Sequence, residues 1–360
     1  MKLNIKGAYG DTNFGDDLLM LVFEDYFFSK FPEAKLNFEG KKGIEYPKKM
    51  LSHSTYNEMG NYDCLVYGGG TQFYSFVHKH TLKSKIKNNI KKNPIDVLKK
   101  ILTKVFPSYN TDKHYTEKVF LGFGVGPFNN NESSIEFAKD RLKNSLYIGV
   151  RDKVSYRYCN EWNIKTKLGA DVVFSSYFDK YLMDIPENNS FEKIGIIVRD
   201  WNWNNNATDY QEKIISYIDS HPELDITIIV FAKDIDLKWM DKIKNRKHII
   251  WDPDTMSVID FIKILNSFST FVTARYHGAI ITGLLGKKVV CIEIEPKLRI
   301  LTEQIPSFAL WENDFDNNKL HNILSLDLKN NHYDLQTFRQ KADDMLNEFA
   351  EVYNIKFKNA

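Results

Sequence analysis

The feature that most constrains the fold is a regular alternation of short apolar runs with segments of helical spacing. The apolar runs predict ten strands, and the segments between them, such as Tyr210–Ile218 and Ser257–Leu265, predict helices. This alternation is typical of parallel sheets with crossover helices. The predicted strands are Leu3–Ile5, Lys35–Phe38, Cys64–Tyr67, Val119–Gly122, Tyr147–Val150, Ile194–Val198, Ile226–Phe231, His248–Trp251, Phe271–Thr273 and Val289–Ile292. The chain is therefore expected to be an α/β protein.

The length of the chain favours two domains. It has 360 residues, of which 43% are apolar, and this is enough for a core in each of two Rossmann-like domains. A polar stretch at 184–190 separates the two halves and predicts a linker. We expect an N-terminal domain over 1–183 and a C-terminal domain over 191–333. Residues 334–360 predict a C-terminal amphipathic helix that packs across both domains.

Composition excludes several classes of protein. With 49 basic and 47 acidic residues, the chain gives no reason to expect nucleic acid as a partner. Three widely spaced cysteines indicate neither a disulfide framework nor metal-ligand spacing, so no metal is expected. The N-terminus does not read as a signal peptide, and no run approaches the ~18 apolar residues of a membrane span. We expect a cytoplasmic protein.

One segment, 79–118, interrupts the alternation and is strongly basic. It contains eleven lysines against three acidic residues. Asn93-Pro94 can begin a helix with one apolar face and one lysine-rich face. Such a helix can lie on an anionic membrane, at the inner face of the plasma membrane. A solvated insertion packed on its own domain explains the pattern equally well, and the sequence leaves both interpretations open.

Glycine-rich loops follow three strands of the first half. They occur at 7–17, 68–72 and 122–127, where a sheet of this type gathers ligands. Glycine lets the backbone turn sharply or approach a ligand closely. For Asp17 we expect helix capping. The residues predicted to form one wall of a cleft are Asn13, Gly15, Asp16, Gly69, Gly70, Thr71, Gly124 and Gly126.

The sharpest candidate for a reactive centre is Arg275-Tyr276-His277. It lies between a predicted strand and a predicted helix of small residues. Arginine binds carboxylate or phosphate through paired hydrogen bonds, and a helix N-terminus adds amide donors for the same anion. Histidine can act as a general acid or as a phosphate partner. We therefore expect an anion-binding reactive site here.

Three further cations end strands or follow them. Arg199 ends Ile194–Val198 and is expected to join the anion site, as is Lys297 after the last strand. Arg151 also ends a strand, but Arg151-Asp152 precedes a helical segment. For Arg151 we therefore expect an interdomain salt bridge or a solvated charge rather than a role in the site.

In order and spacing, these motifs resemble the polysaccharide pyruvyl transferase family over roughly residues 3 to 300. The matching segments are Gly10 to Asp16, Gly68-Gly69-Gly70, Gly122 to Pro127, Gly149 to Asp152 with Ser155, Ala170-Asp171, Arg275 to Gly278, and Lys297. Tyr276 departs from the family, in which leucine is common, and this fits a position that contributes its backbone. Segment 79–118 lies outside the common core.

The resemblance implies a GT-B-like arrangement of two Rossmann-like domains with an interdomain cleft. It also implies a reaction that uses phosphoenolpyruvate as co-substrate, with no other cofactor. The pyruvyl group goes to two hydroxyls of one sugar, in a bacterial surface polysaccharide or its carrier-linked precursor, and forms a cyclic ketal. Donor-binding roles carry over to Arg275, Tyr276, His277 and Lys297, with Arg199 as a second donor arginine.

The reaction chemistry suggests roles for individual residues. His277 would donate a proton or stabilise the departing phosphate, Arg275 and Arg199 would hold the anions, and Asp16 would serve as the base. Arg275→Ala is then expected to reduce turnover far more than stability. Two other functions stay open: a GT-B glycosyltransferase that uses a nucleotide sugar, and a non-catalytic glycan-binding subunit at the membrane.

Overall fold

Two parallel sheets organise the chain, and the first contains the N-terminal strands. The computed structural model describes residues 1–75, 115–183, 185, 192–201, 206–327 and 332–357. The strands of the first sheet, in chain order, are β1 (Lys2–Lys6), β2 (Lys35–Glu39), β3 (Thr55–Tyr56), β4 (Tyr62–Gly68), β5 (Thr71–Phe73), β6 (Tyr115–Val125), β7 (Tyr147–Val150) and β8 (Lys167–Leu168). Their spatial order is β3-β2-β1-β4-β6-β7-β8, with β5 paired to β6.

The second sheet repeats this plan. Its strands are β9 (Ile194–Val198), β10 (Ile226–Val230), β11 (His248–Ile250), β12 (Thr270–Thr273), β13 (Lys288–Ile292) and β14 (Ala309–Trp311). Their spatial order is β11-β10-β9-β12-β13-β14, and every pairing is parallel. Strands β9 and β10 are buried along their whole length. They are nearly all apolar, as is typical of a sheet whose two faces are both covered by helices.

Helices connect the strands in both halves. They are α1 (Phe14–Lys30), α2 (Tyr46–Met50), α3 (Glu132–Leu142), α4 (Lys153–Glu161), α5 (Asn206–Ser220), α6 (Leu237–Lys242), α7 (Val258–Asn266), α8 (Tyr276–Leu284), α9 (Pro296–Gln304), α10 (Asn317–Ser325) and α11 (His332–Phe357). Short 3₁₀ helices span Val172–Phe174 and Ser176–Tyr181. Side-chain caps explain several starts: Asp152 accepts a hydrogen bond from Ser155 N at α4, and Ser257 accepts one from Asp260 N at α7.

The strand order reverses direction beside β1 and beside β9. Strand β1 lies between β2 and β4, and β9 lies between β10 and β12. In open α/β sheets, ligands bind beyond the carboxyl ends of the strands at such a reversal. The loops after β1 and β4, and those after β9 and β12, therefore occupy the positions where a ligand is expected.

Helix α1 joins the two lobes at its N-terminus. The ring of Phe14 packs against Phe231, Trp251 and Phe261 of the second lobe, at centroid distances of 5.1, 5.0 and 4.6 Å. The Phe14 amide donates to Phe231 O at 2.9 Å. These contacts bring the loop after β1 onto the second sheet, because that loop leads directly into α1.

Helix α11 lies mainly on the first lobe. Tyr26 OH donates to Leu346 O at 2.7 Å, and Lys167 pairs with Glu348 at 2.8 Å. Near the start of the helix, a Cβ added to Gly283 of the second lobe would lie 3.7 Å from Leu335. The C-terminal helix thus contacts elements from both halves of the chain.

The ten predicted strands are all present, and the fold class is confirmed. Four short strands, β3, β5, β8 and β14, are absent from the sequence-based prediction. Residues 115–118, assigned to the basic insertion, belong instead to β6, which pairs with β4 from Tyr115 onward. The rest of that insertion, 79–114, lies outside the described residues, as does the predicted linker except Ile185.

Candidate functional site

A cavity of about 220 Å³ lies between the lobes, where the two strand-order reversals face each other. Helix α8 begins there, with Arg275 as its N-cap residue. The loops after β1, β4 and β6 form the facing wall. Predicted site residues that line the cavity are Asn13, Asp16, Gly69, Gly70, Gly126, Arg199, Arg275, Tyr276, His277 and Lys297.

Arg275 lies at the base of the cavity and is held on three sides. Its guanidinium donates through Nη2 to Asp236 and through Nε to Val198 O at 3.2 Å. Nη1 reaches Asn13 Oδ1 of the first lobe at 3.4 Å. The side chain of Arg275 is 7% exposed and that of Asp236 is fully buried. Arg275 therefore serves as a buried ion-pair partner besides facing the cavity.

Arg199 and Lys297 share one carboxylate, that of Glu295. Arg199 Nη1 donates to Glu295 Oε1, and Lys297 Nζ lies 3.0 Å from the same oxygen. The Arg199 guanidinium also stacks over Trp201 at 4.7 Å. Side-chain exposures of 24% for Arg199 and 29% for Lys297 exceed that of Arg275. These two cations are therefore the more accessible to a ligand in the cavity.

The protonation of this cluster is set by burial and by mutual charge. Burial would raise the pKa of Glu295, but Arg199 and Lys297 lower it below its ordinary value. Burial lowers the pKa of Lys297 to about 8; Glu295 opposes this shift, and Arg199 and Arg151 add to it. Glu295 is thus ionised near neutral pH, while Lys297 titrates just above it.

His277 lies between two carboxylates of the first lobe. Its Nδ1 is 3.8 Å from Asp16 Oδ1, and its Nε2 is 3.5 Å from Asp171 Oδ2. Asp16 also accepts a hydrogen bond from Asn13 Nδ2. The side chain of His277 is 11% exposed and that of Asp171 is fully buried. The ring therefore sits where a proton can be held between the lobes.

Arg151 lies in the site, which the sequence analysis did not expect. Its salt bridges, with Asp171 at 3.2 Å and Asp152 at 3.7 Å, lie within the N-terminal domain rather than between domains, and it also lines the cavity. Its guanidinium lies 4.3 Å from the centre of the Tyr276 ring, and Lys297 Nζ lies 5.8 Å from that centre. The Tyr276 ring thus contacts two cations, so this position contributes more than its backbone.

Gly15 and Gly124, two of the predicted cleft residues, are not among the described residues that line the cavity. Gly15 faces His277 inside the lobe interface, where an added Cβ would lie 2.5 Å from His277 Cβ. Gly124 donates its amide to Gly70 O at 2.8 Å, and Thr71 pairs with Gly124 in the sheet. The absence of a side chain at Gly15 leaves room for His277, and the backbones of Thr71 and Gly124 pair between β5 and β6.

Asp17 does not cap helix α1. Asn13 holds the N-cap position, without a side-chain cap bond. Trp251 Nε1 of the second lobe donates to Asp17 Oδ2 at 2.9 Å, and Tyr46 OH donates to Oδ1 at 2.9 Å. Burial raises the pKa of Asp17 to about 7, opposed by these two hydrogen bonds and increased by Asp16 and Asp11. Asp17 therefore links the two lobes.

Several residues of the site are absent from the sequence-based list. Asp171 entered only through the family resemblance, and Asp236 follows β10 by six residues with no motif around it. Glu295 could have been predicted from the sequence, because a carboxylate two residues before Lys297 can pair with the lysine ammonium. The unlisted lining residues are Ala8, Tyr9, Leu19, Gly68, Tyr74, Pro127, Arg151, Trp201, Phe231, Glu295 and Pro296.

The two parallel sheets and the cationic cavity between them define a two-domain α/β protein of the GT-B type. The chain belongs to the polysaccharide pyruvyl transferase family, whose model matches residues 13–296. The family assigns it as a pyruvyltransferase acting on polysaccharide. No curated protein is significantly similar to it in sequence.

Solved structures share the fold at low identity. UDP-GlcNAc 2-epimerase from Neisseria meningitidis superposes with a TM-score of 0.56 at 9% identity, over 98% of this chain and 100% of that one. The Methanocaldococcus jannaschii UDP-GlcNAc 2-epimerase gives 0.54 at 11% identity, also over 98% and 100%. At such identities the likeness shows the fold alone.

Two further observations concern the described residues only. None of their helices combines the length and the apolar character that a bilayer crossing requires. They also contain no group of three or more His, Cys, Asp or Glu side chains arranged to hold a metal ion.

Proposed function

We propose that this protein transfers the pyruvyl group of phosphoenolpyruvate to two hydroxyls of one sugar and forms a cyclic ketal. The acceptor is a bacterial surface polysaccharide or its carrier-linked precursor. The proposal narrows the family's activity to one donor and one product. The observation that carries it is the cluster of cations in the interlobe cavity.

The charge of the cavity suits a small ligand with two anionic groups. Phosphoenolpyruvate presents a carboxylate and a phosphate, and paired arginine and lysine contacts are the strongest protein partners for both. Arg199 and Lys297 reach the open part of the cavity, whereas Arg275 and Arg151 lie deeper. We assign the donor to this side of the cavity, held by Arg199, Lys297 and Arg275.

The reaction can be written so that atoms and charge balance. Protonation of C3 of phosphoenolpyruvate turns the C3 methylene into a methyl group and leaves C2 as an oxocarbenium-like electrophile. A sugar hydroxyl adds to C2 and loses its proton. The C2–O bond to phosphate then breaks, and the second hydroxyl attacks C2 and closes the ring. Of the two hydroxyl protons released, one balances the proton on C3 and the other leaves with phosphate.

Residue types in the cavity fit these steps. His277 begins α8 beside the cations and would deliver a proton or stabilise the departing phosphate. Asp16 lines the same cavity from the opposite lobe and would accept a hydroxyl proton. The buried cations would stabilise the charge that develops on phosphate, and this kind of stabilisation is commonly the largest catalytic contribution.

The glycine loops of the first lobe form the acceptor side. Gly69 and Gly70 have φ angles of +67° and +72°, and a cavity-facing backbone of this kind leaves room for a bulky ligand. Tyr74 lines the same wall with 41% of its surface exposed, and sugars pack on aromatic rings. The acceptor sugar would therefore enter across this wall and place its hydroxyls near Asp16.

Donor binding is the experiment that tests the proposal first. Phosphoenolpyruvate should raise the thermal midpoint of the full chain, because a ligand bound only by the native state stabilises it. With a glycan acceptor, the protein should release inorganic phosphate from phosphoenolpyruvate. A midpoint raised only by nucleotide sugars, with release of nucleoside diphosphate, would replace the proposal with a glycosyltransferase. Binding of glycan alone, without turnover of either donor, would indicate a non-catalytic subunit.

A further inference from the structure

The carboxylate of Asp171 has no part in the proposed chemistry, yet it lies directly behind the His277 ring. It is fully buried, and its Oδ2 is 3.5 Å from His277 Nε2. That nitrogen is itself buried and has no hydrogen-bond partner of good geometry among the described residues. A buried ring nitrogen facing a buried carboxylate is an arrangement that fixes histidine orientation.

Asp171 is held in place by two other donors. Arg151 Nη1 lies 3.2 Å from Oδ2, and Val173 N donates to Oδ1 at 3.2 Å. The second bond caps the 3₁₀ helix Val172–Phe174. Because both oxygens have fixed partners on the first lobe, the carboxylate presents one orientation to the second lobe.

Electrostatics couples Asp171 to the histidine. Burial would raise the pKa of Asp171, but electrostatic attraction to the nearby His277 ring and to Arg151, together with the Val173 amide, lowers it below its ordinary value. The charged groups that face His277 are Asp16 from α1 and Asp171, with Arg151 behind Asp171 and Arg275 preceding it on its own helix.

We propose that Asp171 is the positioning residue of His277: its carboxylate orients the ring across the lobe interface through Nε2 and holds a proton on that nitrogen. The first lobe thereby prepares the proton donor that the second lobe carries. This inference rests on the proposed function only in saying that the His277 proton is used in catalysis. The orientation and protonation of the ring are properties of the resting protein.

The test compares Asp171→Asn with a matched control, Asp152→Asn. Both changes remove a carboxylate from Arg151, and Asn can keep the cap that Asp152 makes to Ser155 N at 2.7 Å. Of these two carboxylates, only that of Asp171 faces His277. The ring is followed by ¹⁵N NMR of histidine-labelled protein, and His277 is identified among nine histidines by loss of its signals in His277→Gln.

In Asp171→Asn, the neutral His277 ring should lose its preference for a proton on Nε2, whereas Asp152→Asn should leave the tautomer unchanged. An unchanged tautomer in a folded Asp171→Asn protein would overturn the inference. If that variant does not fold, ¹⁵N NMR of the wild-type protein provides the test. The neutral His277 ring should carry its proton on Nε2, and a proton on Nδ1 would overturn the inference.

Kinetics supplies a third readout. Turnover in Asp171→Asn should fall at least about tenfold, which is part of the roughly 10²–10⁴-fold that general acid catalysis contributes. The KM for phosphoenolpyruvate should stay near the wild-type value, and Asp171→Glu should restore part of the turnover. A purely structural role would change yield or stability without this selective loss of turnover. Because the NMR experiment needs no turnover, failure of the proposed donor would leave it interpretable.

Discussion

At the scale of single residues, Arg275 has two roles, and any substitution of this residue affects both. It faces the cavity, and it neutralises Asp236, whose side chain is fully buried. Removing one partner of a buried ion pair leaves an uncompensated charge. The expectation that Arg275→Ala affects turnover far more than stability is therefore revised.

Arg275→Ala should lower the free energy of unfolding by about 3–5 kcal/mol, because Asp236 loses its counter-ion. Urea denaturation measures this change. Asp236→Asn is the matched partner variant, since the amide oxygen can still accept from Asp200 N at 2.9 Å. The double variant should recover part of the loss, because no buried charge is left alone. Strict additivity of the two single losses would show that the pair is not coupled.

Lys297 should make donor binding depend on pH. Its pKa is lowered to about 8, so the ammonium is cationic below that pH and neutral above it. The donor phosphate, with a second pKa near 6, keeps a constant charge over this range. The KM for phosphoenolpyruvate should therefore rise between about pH 7.5 and 9. Lys297→Arg, cationic throughout, should flatten this rise, and an equal rise in both proteins would exclude Lys297 as its origin.

At the scale of elements, the N-terminus of α1 meets the N-terminus of α8. Gly15 lets the two helices approach, because an added Cβ would lie 2.5 Å from His277 Cβ and 2.6 Å from its Nδ1. Ordinary helix propensity favours alanine over glycine by about 1 kcal/mol. In Gly15→Ala, the clash with His277 therefore lowers the stability of the fold, whereas the higher helix propensity of alanine raises it.

We expect Gly15→Ala to displace the His277 ring and to reduce turnover by more than about tenfold, since small misplacements of reacting groups are costly. The thermal midpoint should change much less, because the propensity gain offsets part of the clash. Steady-state kinetics and a thermal melt of the same preparation provide the comparison. Wild-type turnover in Gly15→Ala would show that the ring position is not critical.

Asp17 joins α1 to the second sheet through Trp251, and its protonation should affect stability. The pKa of Asp17 is raised from 3.8 to about 7 in the folded protein. Between these values the folded state retains a proton that the unfolded state has released, so stability falls as pH rises. The loss should amount to up to about 4 kcal/mol between pH 4 and pH 7.

Asp17→Asn should remove this part of the pH dependence, because asparagine does not ionise. Its amide oxygen can still accept the hydrogen bond from Trp251 Nε1, so the contact between the lobes is kept. Urea denaturation at pH 4, 5.5 and 7 gives the slope for both proteins. An identical slope in wild type and variant would assign the pH dependence to other groups.

At the scale of the whole molecule, the sequence predicts the sheets better than it predicts the site. Strand alternation identified ten strands because most of them are largely apolar runs separated by helical segments. The strands that the sequence did not reveal, β3, β5, β8 and β14, have only two or three residues each.

The site was only partly predictable because partners distant in the sequence decide each residue's role. Asp236 lies 39 positions from Arg275, and Asp171 lies 106 positions from His277, yet each is in direct contact. No local spacing reveals such pairs. Arg151 illustrates the same limit: its salt bridges lie within its own domain rather than between domains, and its contact with Tyr276 depends on how the lobes meet.

The central claim is that the interlobe cavity converts phosphoenolpyruvate and a sugar into a pyruvyl ketal. The most direct measurement is NMR of a glycan product made with phosphoenolpyruvate labelled with ¹³C at C2. We expect one labelled quaternary ketal carbon that correlates with protons at two oxygen-bearing positions of a single sugar. The product should fail to form with His277→Gln. A label attached through one oxygen only, or an unlabelled product that gains a hexose from a nucleotide sugar, would contradict the account.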